Sequence, residues 1–134
     1  MIYLSRKITF SSAYRYFQEK FSENKNKEIF GSFYSDHGLG HNFALEITIS
    51  GKVSPETGMV INLVEIDKVL KEVTEPLDHH HLNMDVPFFK EKVPTPENIA
   101  LYCYEEIKSR LPKKVDLIKV RLYEGENLWA DYYG

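Results

Sequence analysis

The chain reads as an α+β protein, a four-stranded antiparallel sheet carrying two helices on one face. Three observations predict it. Residues 42–50 alternate strictly, with Phe43, Leu45, Ile47 and Ile49 on one side and Ala44, Glu46, Thr48 and Ser50 on the other. That is the period-2 mark of a half-buried antiparallel strand. Two later stretches, from about residue 63 and from Thr95-Pro96-Glu97, bring apolar residues back at helical spacing behind good capping residues. Residues 116–123 and 127–133 then form two strand-like runs around Glu124-Gly125-Glu126, as in a hairpin.

Taken in order, residues 2–10 alternate loosely and predict a first strand. Residues 18–32 are polar and charged, which suits a surface loop or a short helix between strands. The strand at 42–50 follows, and Val53 to Gly58 reads as a turn. In the first long helix Asn62 is a candidate N-cap with Glu65 at capping-box spacing, and Leu63, Ile66, Val69, Leu70 and Val73 form its apolar stripe. Residues 75–95 contain three Pro, three consecutive His and two Asp, and read as a loop. Thr95 is the expected N-cap of the second helix and Pro96 its first residue. A small open sheet of this kind has edges that need covering, and oligomerisation is one way to cover them.

Bulk properties narrow the function classes. One domain spanning residues 1–134 is expected, with no repeat or low-complexity linker. The formal net charge is -3 and no basic run is present, so nucleic acid and anionic membranes are poor candidates as partners. The single cysteine, Cys103, forbids an intrachain disulfide. The N-terminus has no apolar h-region, and no apolar run approaches the ~18 residues of a membrane span. A cytoplasmic protein is the expectation.

Several short segments share a specific order and spacing: Phe30-Gly31, Gly38-Leu39-Gly40-His41-Asn42, Gly58 to Leu63, Pro76-Leu77-Asp78-His79, Leu82 to Phe89, Thr95-Pro96-Glu97-Asn98 and Tyr123-Glu124. Together they resemble the 6-pyruvoyl-tetrahydropterin synthase family, which includes the 6-carboxy-tetrahydropterin synthases of the queuosine pathway. The resemblance covers nearly the whole chain. It implies the tunnelling fold, in which trimers close a β-barrel and two trimers stack as a homohexamer with active sites between subunits. It implies a pterin as the small-molecule partner. It also implies chemistry on 7,8-dihydroneopterin triphosphate, with a zinc held by three histidines, a cysteine base, an Asp-His relay and a glutamate that anchors the pterin ring.

Carried over position by position, the family's site divides in two. The first zinc histidine belongs to a Ser-Ala-Ser-His-Arg-like motif, here Ser11-Ser12-Ala13-Tyr14-Arg15, so Tyr14 stands at that ligand position. Leu39 stands at the second, and only His41 is retained at the third. Zinc takes His, Cys or carboxylate ligands, and its catalytic sites use three from the protein. Leucine offers none, and a phenol with an ordinary pKa near ~10 is a reluctant ligand. No zinc or other cofactor is therefore expected. The cysteine position is Phe33, and Cys103, on the second helix, is expected to be a small core residue. The other half is retained: Asp78 and His79 match the catalytic relay pair, Glu124 the pterin anchor, and Thr95 and Glu97 pterin contacts from an adjacent subunit.

Each of these residues has a plainer reading. Asp78 caps a turn, Glu124 is a charge at a hairpin end, and Thr95 is an N-cap whether or not a ligand binds. His80 and His81 are expected as solvated loop residues, because sequence neighbours in a loop rarely converge on one ion. His37 is a weaker candidate as a partner for His41. Tyr14 and Phe33 fill the volume of the zinc and the cysteine. Three functions stay open. One is a zinc-independent lyase or aldolase using Asp78 and His79, with Tyr14 or His41 as a second acid or base. Another is a non-catalytic pterin-binding subunit alongside an active paralogue. The last is a scaffold for another planar, nitrogen-rich ligand such as a purine.

Overall fold

The computed structural model describes residues 1–134. It contains β1 (Tyr3–Tyr14), α1 (Glu23–Phe30), β2 (Leu39–Ser50), α2 (Leu63–Thr74), β3 (His80–His81), α3 (Leu82–Asp85), α4 (Pro96–Lys108), β4 (Asp116–Glu124) and β5 (Leu128–Tyr132). The predicted α+β architecture holds, with a fifth strand and further short helices added. The sheet has five strands in the order β3-β1-β2-β4-β5. Four are antiparallel, and β3 is a two-residue parallel addition that pairs Ser12 with His80 and Ala13 with His81.

The stretch 75–95, expected as a loop, thus holds β3, α3 and a single-turn helix at Pro87–Lys90. His80 remains exposed, but His81 is half-buried rather than solvated. Residues 18–32 contain α1, capped by Ser22, whose side chain accepts from the Lys25 backbone N–H. The strand expected at 2–10 runs on to Tyr14, which carries β1 to the end of the sheet where Tyr14 pairs with Leu39.

The caps fall where the sequence puts them. Asn62 Oδ1 accepts from Val64 N at 2.9 Å, and Thr95 Oγ1 accepts from Asn98 N at 3.2 Å. Each satisfies one of the backbone donors left free at a helix start. In α2, Ile66, Val69, Leu70 and Val73 are buried, whereas Leu63 at the first turn is largely exposed. Arg6, on β1, forks both nitrogens onto Asp67 of α2 at 2.8 and 2.9 Å and ties helix to sheet.

The core lies between the sheet and the α2–α4 layer. Phe43, Leu45, Ile47 and Ile49 supply its β2 side, as their alternation predicts, with Ile99, Cys103 and Ile107 of α4 opposite. Cys103 is fully buried, and burial pushes its thiol pKa up, so it carries no thiolate chemistry. On the other side of β2 the pattern is less open than its alternation suggests. Thr48 and Ser50 are buried too, and Thr48 Oγ1 pairs with Ser5 Oγ at 2.8 Å. No helix is long and apolar enough to cross a membrane. Leu45 has 0% exposure, so Leu45→Ala is expected to lower unfolding free energy by about 2–5 kcal/mol in urea titration, from lost burial and the cavity left behind. A loss under about 1 kcal/mol would show that the site collapses around the deletion.

Candidate active site

Three strands deliver side chains to one end of the sheet. The register pairs Tyr14 with Leu39, Ser12 with His41, and Phe43 with Glu124. Side chains alternate along each strand, so Tyr14 of β1, His41 of β2 and Glu124 of β4 fall on the helix-facing side together. The turn into β2 needs Gly38. Its φ is +83°, and a Cβ there would stand 3.2 Å from the Tyr14 carbonyl oxygen.

These three side chains form one hydrogen-bonded chain. The Tyr14 hydroxyl lies 2.5 Å from His41 Nδ1 and donates to Glu124 Oε1. The second carboxylate oxygen, Oε2, accepts from the Tyr16 hydroxyl at 3.0 Å. His41 Nδ1 is also 3.6 Å from Glu124 Oε1. Tyr14 is 0% exposed and Glu124 7%. Burial, and then the neighbouring Glu124 carboxylate, push both phenols far above the ordinary tyrosine pKa. Tyr14 is therefore a neutral hydrogen-bond donor at any physiological pH. Glu97, from the first turn of α4, adds the smallest push on Tyr16. Phe33, at the cysteine position, packs its ring 5.5 Å from that of Tyr16.

The second group lies at β3. The Asp78 carboxylate accepts from the Ser11 backbone N–H at 2.9 Å, and the following residue, His79, donates its own N–H to Ser11 O at 2.6 Å. His79 has a φ of +59°, an uncommon conformation for a residue with a side chain. These bonds hold its imidazole out from the surface, with its side chain 84% exposed and Nε2 3.7 Å from Asp78 Oδ1. The pair is adjacent, as predicted, but the imidazole does not bond the carboxylate. Ser11, Ser12, Ala13, Gly40, His41, Asn42 and His79–His81 line an open depression of about 670 Å³. It brings His41, at the end of the buried chain, alongside His79.

Thr95 is occupied as the cap of α4. Leu39 is half-buried against the core. His37 borders a separate hollow with Arg15 and Asp36. Zinc does not fit the residues present. Leu39 has no donor atom and the Tyr14 phenol keeps its proton, donating a hydrogen bond to Glu124, which leaves His41 as the single ligand of the three positions. No three His, Cys, Asp or Glu side chains converge elsewhere in a way that would hold a metal ion.

Sequence reasoning missed Tyr16 as part of the site. The signal was available, since Tyr14 and Tyr16 are two apart and an extended chain points both the same way. Asn42 was also passed over, although it closes the Gly-Leu-Gly-His-Asn segment.

Comparison with known proteins agrees with the fold. A model of the family described as 6-pyruvoyl tetrahydropterin synthase matches residues 3–134. A 6-pyruvoyl tetrahydrobiopterin synthase of Pongo abelii is 40% identical over 98% of this chain and 90% of its own length. A Pyrococcus furiosus protein named dihydroneopterin monophosphate aldolase is 39% identical over 69% of this chain and 75% of its own. The solved structure of Caenorhabditis elegans 6-pyruvoyl tetrahydropterin synthase superposes with a TM-score of 0.93 at 37% identity, covering 99% of this chain and 95% of that one. With its sheet order and a family match along almost its full length, the chain belongs to the 6-pyruvoyl tetrahydropterin synthase family and has its tunnelling fold.

Proposed function

We propose that this protein binds a reduced pterin such as 7,8-dihydroneopterin triphosphate and acts on its side chain as a lyase or aldolase without zinc. The observation that carries this reading is the meeting of His41 and His79 at one depression, each with a carboxylate behind it, Glu124 and Asp78 respectively. Both candidate reactions begin with a proton taken from the side chain, and an imidazole beside a carboxylate is suited to take it. The name of the Pyrococcus relative supports including aldol cleavage beside phosphate elimination. In this reading Glu124 and Glu97 hold the pterin ring, Thr95 contributes from the start of α4, and the Asp78–His79 pair moves the proton. The working assembly is a homohexamer of two trimers. The sheet's open edge strand β5, with Leu128 and Trp129 about half exposed, supports pairing between subunits.

The test is incubation with 7,8-dihydroneopterin triphosphate in the presence of a metal chelator, with products resolved by mass spectrometry. Conversion is expected to be unaffected by the chelator. His79→Ala should slow it by roughly 10²–10⁴-fold, the usual contribution of a general base. Conversion that depends on added zinc overturns the metal-free reading. A second reading, a non-catalytic pterin-binding subunit, draws on one observation: the Asp78 carboxylate is bonded to the Ser11 N–H and not to the imidazole of His79. Substrate that binds and is recovered unchanged would select it.

A further inference from the structure

The chain has four arginines, and three of them are committed to carboxylates. Arg6 forks Nε and Nη2 onto Asp67 at 2.8 and 2.9 Å, and Arg121 does the same onto Asp131 at 2.7 and 2.9 Å. Arg110 gives Nη1 to Glu106 Oε2 at 3.0 Å. Arg15 has a single, long side-chain bond, from Nη2 to Asp36 Oδ1 at 3.4 Å, and that aspartate side chain is 76% exposed. The Nε of Arg15 is buried without a hydrogen-bond partner in the chain. A guanidinium keeps its protons, so this buried N–H is a donor in need of an acceptor.

The surroundings hold that donor in place. Asn83 fixes the Arg15 backbone on both sides, its Oδ1 accepting from Arg15 N at 2.8 Å and its Nδ2 donating to Arg15 O at 2.9 Å. The guanidinium carbon lies 4.8 Å from the Phe17 ring centroid and 4.4 Å from that of Tyr34, so the charged group rests against two stacked rings. The other buried side-chain polar atom without a partner is His81 Nδ1. Arg15 and His81 line the same hollow, of about 420 Å³, a size that small-molecule sites share. Charge and lining select the ligand. The lining contains Arg15 and Lys90 against Glu19 and Asp36. With the exposed Asp36 turned to water, one positive charge is left over, which suits a single negative charge and not a polyphosphate. Phe17, Met84 and Phe89 supply the apolar part. A planar carboxylate matches the Nε–Nη2 edge of a guanidinium, as Asp67 and Asp131 show in this same chain.

We infer that this hollow is a carboxylate-binding site. A small monoanionic ligand, an acid group on a flat apolar body, lays its carboxylate on the Nε–Nη2 edge of Arg15 and displaces Asp36 from it. His81 Nδ1 can carry the imidazole proton and serves as a further donor. The hollow is separate from the depression at His41 and His79, so this ligand is not the substrate of the proposed reaction, and the site does not depend on that reaction.

Calorimetry on the full-length protein at neutral pH tests this with three probes: benzoate, its neutral shape-match benzamide, and inorganic tripolyphosphate. Benzoate is expected to bind at least about tenfold more tightly than benzamide, the gain of a charge-assisted hydrogen bond. It should also move the NMR signal of the Arg15 Nε–H. Arg15→Lys keeps the charge but not the planar fork, and should remove most of the preference for benzoate. Asp36→Asn removes the competing carboxylate from an exposed position, where folding is not at stake, and should strengthen benzoate binding. Equal affinity for benzoate and benzamide overturns the inference, as does benzoate binding in Arg15→Lys that matches the wild type. No gain in Asp36→Asn overturns it too. Tripolyphosphate bound more tightly than benzoate overturns the carboxylate assignment and gives the hollow to phosphates.

Discussion

Glu124→Ala is expected to abolish measurable pterin binding and to destabilise the chain, and the two effects separate experimentally. The carboxylate is 7% exposed and takes one phenol on each oxygen. Tyr14 has no exposure with which to reach water instead. Removing its acceptor leaves the buried hydroxyl with His41 Nδ1 as its one partner, so the cost falls toward the lower end of the about 1–3 kcal/mol of an unsatisfied buried group. Tyr16 is only half-buried, so solvent recovers most of its loss. The binding effect has a different origin. A carboxylate offers about four lone-pair sites, so two phenols leave room for two ring donors of a pterin, and a charged bidentate contact of that kind is strong when desolvated. Glu124→Gln distinguishes the two origins. It keeps the shape and one acceptor but loses the charge and turns a donor toward a phenol. A folded Glu124→Gln protein with unchanged molar mass and pterin affinity reduced about 100-fold is the expected result. The same variant binding pterin as the wild type does would show that Glu124 serves only to organise Tyr14 and Tyr16.

That double engagement of Glu124 was not legible in the chain, and the reason is physical. Glu124 and Tyr14 are 110 residues apart, and no local pattern reports a contact that depends on strand order. Taken alone, Glu124 looks like a charge at the end of a hairpin; the β1-β2-β4 order carries it into the interior. What was legible is what depends on neighbours in sequence. The alternation at Phe43–Ile49, the caps Asn62 and Thr95, and the stripe Ile66–Val73 are each produced by spacing of a few residues, and each appears in the structure. The strand β3 escaped for the opposite reason. Two residues joined in parallel to β1 have no period to detect. Its position follows from backbone bonds between Ser11 and the Asp78–His79 step, and those same bonds turn His79 outward.

The second large effect expected is a gain of function toward metal. The wild-type protein, purified without added metal, should carry no stoichiometric zinc, and Tyr14→His combined with Leu39→His should take up about one zinc per subunit in a three-histidine site. The register supports the construction. Positions 14 and 39 face each other directly across β1 and β2, and His41 lies on the same side of β2, two residues from 39. The Tyr14 side chain already reaches within 2.5 Å of His41 Nδ1, so positions 14 and 41 converge, and the register sets 39 on the same face beside them. In the wild type, binding zinc would require the Tyr14 phenol to lose its proton, and burial beside Glu124 makes that harder than for an ordinary tyrosine. Either single substitution supplies only two imidazoles, so each should fall well short of the double variant. Elemental analysis after dialysis reads the outcome directly, without reference to activity. One zinc per wild-type subunit would show that Tyr14 yields its proton after all, and the buried chain from Glu124 to His41 could not then be the resting arrangement of the site.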